Sequence, residues 1–240
     1  MSPSPRPSPR PSPQRPAVVV LDVNETLSDL GALEARLAGV GADPRVAARF
    51  LPAVLRDGFA RTLREDPLPF ADVAADVLRV ELADPRGGRL DRPLEEAVTH
   101  VLGAFEEVVL HPDVPAGLRR FREQGVVTVA LTNGGLSTCE ALLERSGVRE
   151  DVVHVLSVET VGLWKPHAAA YGHALDVCAA PAGDVLFVAV HPWDLDGAAA
   201  TGMRTAFLDR AGTGVYPRHA SAPTLTARGL DDLADRVLEG

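Results

Sequence analysis

Apolar residues, mostly β-branched, run from Val18 through Leu21 and stop at Asp22, where a short polar loop, Asn24-Glu25-Thr26, begins after Val23. An apolar run without polar alternation is the pattern of a strand covered on both faces. Leu30, Leu33 and Leu37 then fall at helical spacing as far as Gly39, with Ser28 or Asp29 available as the N-cap. From Asp43 to Asp113 no strand pattern emerges. The periodicity predicts helices near 44–64, 70–82 and 92–108, broken by Pro67, Pro69, Pro85 and Gly87-Gly88, with a kink or break at Pro52.

Beyond Pro112 strands and helices alternate. A helix over 115–124 ends at Gly125, and a strand over 126–131 runs into Thr132-Asn133-Gly134-Gly135. A helix over 137–145, a short strand near 153–157 and a helix over 167–178 follow. The strand at 185–190 leads into His191-Pro192-Trp193-Asp194, then a helix over 195–201, a strand over 204–208 and a last helix near 229–238. Such alternation predicts an α/β fold: a Rossmann-like parallel five-stranded sheet with helices on both faces. Residues 17–28 and 113–240 form this core, and residues 29–112 are inserted as a helical cap. The crevice between cap and strand ends is the expected ligand site.

Composition narrows the function. A net charge of -9 argues against nucleic acid or an anionic membrane as the main partner. No apolar run approaches the length of a bilayer span. Residues 1–16, MSPSPRPSPRPSPQRP, read as an extended disordered tail without a secretory signal, so the cytoplasm is the expected location. Cys139 and Cys178 match neither a disulfide framework nor a zinc spacing and read as buried thiols in a reducing compartment. Of the 24 Lys and Arg residues, Lys165 is the only lysine, a compact ammonium in a chain that otherwise uses planar guanidinium groups.

Four polar loops fall where strands of such a sheet end: Asp22 to Thr26, Thr132-Asn133, Lys165, and His191 to Asp194. Together they supply a carboxylate, hydroxyl and amide donors, an ammonium, and a second carboxylate with an imidazole. A carboxylate nucleophile needs donors that orient it and a cation that keeps it ionised.

With LDVNETL, ALTNGG, WKP and VAVHPWDLDGAA in this order, the chain resembles the haloacid dehalogenase-like superfamily over residues 17–28 and about 113–210. The resemblance implies that Asp22 is the nucleophile and that Thr26 and Thr132-Asn133 orient it or the substrate. It also implies that Lys165 neutralises charge and that Asp194 anchors the lysine or a metal. The superfamily's phosphatases carry a second Asp two residues after the nucleophile, where this chain has Asn24. They also carry an acidic residue four before the position of Asp194, where it has Val190. The 2-haloacid dehalogenase branch needs neither and is closer in VGLWKPHAAAY and HPWDLDGAAATGMRTAFLDR. Tyr171 falls where that branch has an active-site tyrosine.

The resemblance therefore implies a metal-independent hydrolase without a cofactor. Asp22 would displace halide from a 2-haloalkanoate, giving an ester that water hydrolyses. Substrate contacts would come from Thr132, Asn133, Tyr171, Asn24 and a cap arginine. Arg49 and Arg56 flank the expected cap position, and Arg56 is the candidate carried forward. Three departures stand out. Asn24 and Glu25 replace an aromatic residue and a glycine, leaving Glu25 to cap the next helix or meet a cap arginine. Ala189-Val190-His191 replaces Ser-Ser-Asn, so His191 takes the position of the asparagine that places the hydrolytic water and is itself a candidate base. Trp164 and Trp193 are expected to pack the crevice wall. A magnesium-dependent phosphatase and a catalytically weakened small-anion or partner binder stay open as alternatives. Dehalogenases of this kind are often dimers, so a homodimer is an expectation of the resemblance.

Overall fold

A computed structural model describes residues 15–239; most of the expected tail lies outside the described residues. The core is a parallel sheet built from β1 (Val18–Leu21), β4 (Val127–Thr132), β5 (His154–Ser157), β6 (Val185–Ala189), β7 (Arg204–Leu208) and β8 (Leu225–Ala227), in the spatial order β5-β4-β1-β6-β7-β8. This is six strands rather than five. The sixth, β8, is a three-residue edge strand, too short to give a periodic signal.

The alternation along β1 explains why it reads as unbroken apolar sequence. Val19 and Leu21 face one core with α6 (Val114–Glu123), α7 (Leu136–Arg145) and α10 (Leu230–Leu238). Val18 and Val20 face the other with α8 (Ala168–Cys178) and α9 (Pro192–Ala200). Leu21 pairs with Ala130 of β4 on one side and Val188 of β6 on the other. The strand order reverses around β1, and in such sheets the crevice at the carboxyl ends of these strands is the ligand site. Asp22 is the next residue.

The insertion leaves and rejoins the core through a two-stranded ribbon, β2 (Ser28–Asp29) against β3 (Val109–Leu110), which the sequence pattern did not reveal. Between them lie α1 (Ala32–Ala38), α2 (Ala47–Leu63), α3 (Phe70–Ala83), α4 (Leu94–Leu102) and α5 (Ala104–Glu107). The expected helix 92–108 is thus two helices, with the α4–α5 boundary at Gly103. Pro52 does not break α2, which continues to Leu63. One backbone hydrogen bond is forgone there, while Phe50, Leu51 and Val54 bury the neighbouring turns. Helix α9 begins three residues earlier than expected because Pro192 fits the first helical position, where no N–H is needed.

The insertion has its own apolar cluster, including Leu37, Phe50, Val54, Phe70, Val77 and Val101, and Trp164 of the core plugs into it. The Trp164 ring stacks on Phe70 at 5.6 Å, and its Nε1–H donates to Leu68 O at 3.0 Å. Phe59 of α2 meets Trp193 edge-on at 4.9 Å. Both tryptophans therefore tie cap to core beside the motif loops.

Candidate active site

Asp22 leaves the tip of β1 still held by the sheet, its N–H donating to Val188 O at 3.0 Å. Thr26 Oγ1 donates to Asp22 Oδ2 at 2.6 Å and accepts from the Val190 N–H at 3.1 Å. The loop is clamped from behind by Arg210, which donates to Thr26 O through Nε (3.1 Å) and Nη2 (2.6 Å) and to Asp113 Oδ1 (2.7 Å). Arg210 was not singled out from the sequence. Its place directly after the strand-end residues Leu208-Asp209 was the available signal.

Lys165 is 0 % exposed, and each ammonium hydrogen has an acceptor: Asp22 Oδ1 at 2.7 Å, Asp194 Oδ2 at 2.8 Å and Leu131 O at 2.9 Å. Burial alone would push this lysine down. Asp194 and Asp22 outweigh it and hold the ammonium above its ordinary range. For Asp22, burial pushes the carboxyl up, but Lys165 and then His191 hold it well below the usual carboxylate range. Asp194 is pushed up by burial and by the Asp22 charge, against the pull of Lys165.

Asn133 brackets the backbone of the lysine. Its Oδ1 accepts from the Lys165 N–H at 2.9 Å and its Nδ2 donates to Lys165 O at 3.4 Å. Tyr171 is likewise buried, and its O–H donates to Asp194 Oδ1 at 2.6 Å. Helix α9 reaches this phenol because Gly197 lies against it; a Cβ there would stand 2.6 Å from the Tyr171 oxygen. Asn133 and Tyr171 are both buried, and their hydrogen bonds go to Lys165 and Asp194. Thr132 Oγ1 accepts from the Gly134 N–H at 2.9 Å. Thr132 and Asn24 do line a cavity of about 390 Å³ between the α7 start and Phe70 and Phe105 of the cap.

His191 lies against the other oxygen of Asp22. Its Nδ1 is 3.2 Å from Asp22 Oδ2, and its Nε2 is 2.8 Å from Glu25 Oε2. Burial lowers the imidazole, but hydrogen bonds to Asp22 and Glu25 overcome this and raise it from 6.5 to about 10. The two carboxylates thus favour the protonated imidazole. Glu25 thus neither caps a helix nor meets a cap arginine. It adopts φ of 61°, left-handed backbone that a non-glycine residue rarely takes.

The structure does not bring Arg56 to the motif loops. This arginine pairs with its neighbour Asp57 at 2.7 Å and lines a separate cavity between α2 and α3, while Arg49 pairs with Glu81. Residues of α2 that meet the crevice or the core include Ala47, Ala48, Leu51, Gly58, Phe59 and Thr62, all uncharged. A cavity of about 620 Å³ lies on the His191 side, lined also by Glu25, His111, Arg210 and Leu51.

The residues present do not fit a magnesium ion. That ion takes open carboxylate oxygens in octahedral geometry. Here Asp22 Oδ1 is occupied by Lys165, Asp22 Oδ2 by Thr26 and His191, and Asp194 by Lys165 and Tyr171. Among the described residues, no group of three or more His, Cys, Asp or Glu could hold a metal. Cys139 and Cys178 are free thiols; burial pushes Cys139 up to about 12, so it is inert at neutral pH.

Fold and site together define a capped, doubly wound α/β protein with an ionised carboxylate at its switch point. The profile of the haloacid dehalogenase-like hydrolases matches residues 17–202, and the chain belongs to that family. It is 31% identical over 146 residues to the (S)-2-haloacid dehalogenase H-109 of Pseudomonas putida, covering 60% of this chain and 65% of that one. The chain thus spans just under two thirds of that relative's length. It is 26% identical over 196 residues to the (S)-2-haloacid dehalogenase of Pseudomonas sp. strain YL, covering 81% and 83%. A solved L-2-haloacid dehalogenase superposes with a TM-score of 0.82 at 27% identity, over 92% of this chain and 98% of that one.

Proposed function

We propose that the chain hydrolyses the carbon–halogen bond of small 2-haloalkanoic acids, of (S) configuration as in the names of its relatives. A carboxylate oxygen of Asp22 attacks C2, and halide leaves with the bonding electrons. Water then attacks the carbonyl carbon of the resulting Asp22 ester, releasing a 2-hydroxy acid and restoring the carboxylate. Thr26 orients Asp22, Lys165 holds it ionised, and Asp194 with Tyr171 fixes the lysine.

The observation that carries this reading is the Asp22–Lys165 contact of 2.7 Å beside Asn24. An ionised nucleophile is paired with a cation, and the position two residues on offers no acid to protonate a leaving alcohol. Halide needs none. The occupied carboxylate oxygens favour chemistry without a metal. Two free thiols and the absence, among the described residues, of a helix long and apolar enough to cross a membrane fit a cytoplasmic enzyme.

Halide release from (S)-2-chloropropionate, with magnesium and with EDTA, is the test, beside hydrolysis of p-nitrophenyl phosphate. EDTA-insensitive halide release that Asp22→Asn abolishes supports the reading. Magnesium-dependent phosphate release without halide sinks it. Silence in both assays, with the acid still bound, would favour a binding protein.

A further inference from the structure

Three successive carbonyls of the nucleophile loop are held from outside it. His111 Nε2 donates to Glu25 O at 3.1 Å, Arg210 donates to Thr26 O through Nε (3.1 Å) and Nη2 (2.6 Å), and the His111 backbone N–H donates to Leu27 O at 2.9 Å. We infer that Arg210 is a positioning residue for the nucleophile, fixing the plane of the Asp22 carboxylate through Thr26, with Asp113 holding Arg210 in turn. For the work that Asp22 does, this rests on the dehalogenase reading above.

The need for a brace begins in the backbone. Glu25 is left-handed, at φ of 61°, so the chain turns before a regular element can continue. Thr26 and Leu27 behind it are fully buried. Buried carbonyls require partners, and here those partners come from elsewhere in the chain.

The need continues in the side chain. The last torsion of an aspartate has broad wells, so its rotamer does not fix the carboxylate plane. Displacement at C2 needs an oxygen lone pair aimed opposite the departing halide, and the plane has to be held at both oxygens. Lys165 holds Oδ1 at 2.7 Å. Thr26 holds Oδ2 at 2.6 Å, closer than His191 at 3.2 Å, and the Thr26 hydroxyl is itself oriented by the Val190 N–H at 3.1 Å. Arg210 grips the carbonyl of that same threonine, so a shift there carries the hydroxyl with it.

Arginine suits the task. Its planar fork sets two N–H groups on one carbonyl and a third on Asp113 Oδ1 at 2.7 Å, which a lysine cannot do. Asp113 Oδ2 accepts from the N–H of Leu230, the first residue of α10, at 2.7 Å. His111 and Asp113 follow β3, on the arm by which the insertion rejoins the core. The brace thus joins the nucleophile loop, the cap's return and the core. Arg210 lines the cavity of about 620 Å³, but all three of its nitrogens are committed to protein partners. It sets the nucleophile rather than meeting the substrate.

Steady-state halide release from (S)-2-chloropropionate by Arg210→Met, Arg210→Lys and Asp113→Asn tests the assignment. Arg210→Met should lower kcat about 100-fold, the loss that a misplacement of about 1 Å brings, with KM within about twofold. Arg210→Lys keeps the charge without the fork and should not restore the rate. Asp113→Asn, which loosens the hold on Arg210 at constant shape, should show a smaller loss of kcat at unchanged KM, and it carries the test if Arg210→Met does not fold. Full activity in Arg210→Lys, or a raised KM at unchanged kcat, overturns the inference; the second result would make Arg210 a substrate contact.

Amide exchange reads the brace apart from activity. The Val190 N–H should exchange at least about tenfold faster in Arg210→Met, or in Asp113→Asn where that variant stands in, while Val129 in the middle of β4 keeps its protection. Unchanged exchange at Val190 overturns the inference and leaves the dehalogenase reading intact. Faster exchange there, with no halide from the unsubstituted protein, sinks the dehalogenase reading and leaves the brace standing.

Discussion

Gly58 of α2 lies flush against the indole of Trp164: a Cβ at that glycine would stand 2.2 Å from Trp164 Cζ3. The cap thus docks on the residue immediately before Lys165. Alanine would favour the helix by about 1 kcal/mol, but the ring cannot retreat, being stacked on Phe70 and hydrogen-bonded to Leu68 O. Gly58→Ala is expected to destabilise by about 1–3 kcal/mol and to lower halide release by displacing the lysine loop. Urea denaturation and steady-state kinetics check both effects.

Removing the lysine leaves two buried carboxylates facing each other. Lys165→Met is expected to cost about 3–5 kcal/mol of stability and to abolish halide release. Lys165→Arg should not rescue it, because a planar fork cannot reach Asp22, Asp194 and Leu131 O as a compact ammonium does. Denaturant midpoints of both variants are the measurement.

Tyr171→Phe separates scaffolding from substrate contact. The phenol is buried and donates only to Asp194. The loss should be about 1–3 kcal/mol from an orphaned acceptor, with a lower kcat and an unchanged KM. A raised KM would restore the substrate-binding role expected from the sequence.

The two shifted groups set the pH dependence of stability in opposite directions. Asp22 titrates below its ordinary 3.8 in the folded chain, so its contribution is present above that value and is lost as pH falls. His191 rises from 6.5 to about 10, so its contribution is full below 6.5 and is lost progressively as pH climbs to about 10. Urea midpoints should therefore decline from neutrality into alkali, and the decline should flatten in His191→Gln.

Arg56→Ala should leave halide release within about twofold and stability within about 0.5 kcal/mol, since it removes an exposed ion pair outside the crevice. A large rise in KM would mean that the cap rearranges to deliver this guanidinium.

The strand-tip carboxylate, its threonine and the lysine were legible because each sits at the end of a strong apolar run, where register dictates position. Glu25 on His191 was not, since two residues 166 apart meet through a backbone turn that no spacing encodes. The position of Arg56, away from the motif loops, was not legible for a related reason. Counting along α2 gives a rough position but not the helix face, and the face toward the core carries Leu51, Gly58 and Phe59. Asn133 and Tyr171 were found as site residues, but the sequence could not separate touching a ligand from holding the group that does. Short elements such as β2, β3 and β8 offer too few residues for any period.

The ribbon of β2 and β3 makes the helical block a cassette. Ser28 pairs with Leu110 and Asp29 with Val109, so the chain departs and returns at one paired point. A different block ending in the same two short strands could be grafted there without shifting the register of β1 or β4. The graft would need two fittings, a socket for the Trp164 indole and a partner for Trp193. Substrate range in this architecture can thus change by exchange of a whole module while the chemistry beneath it stays put.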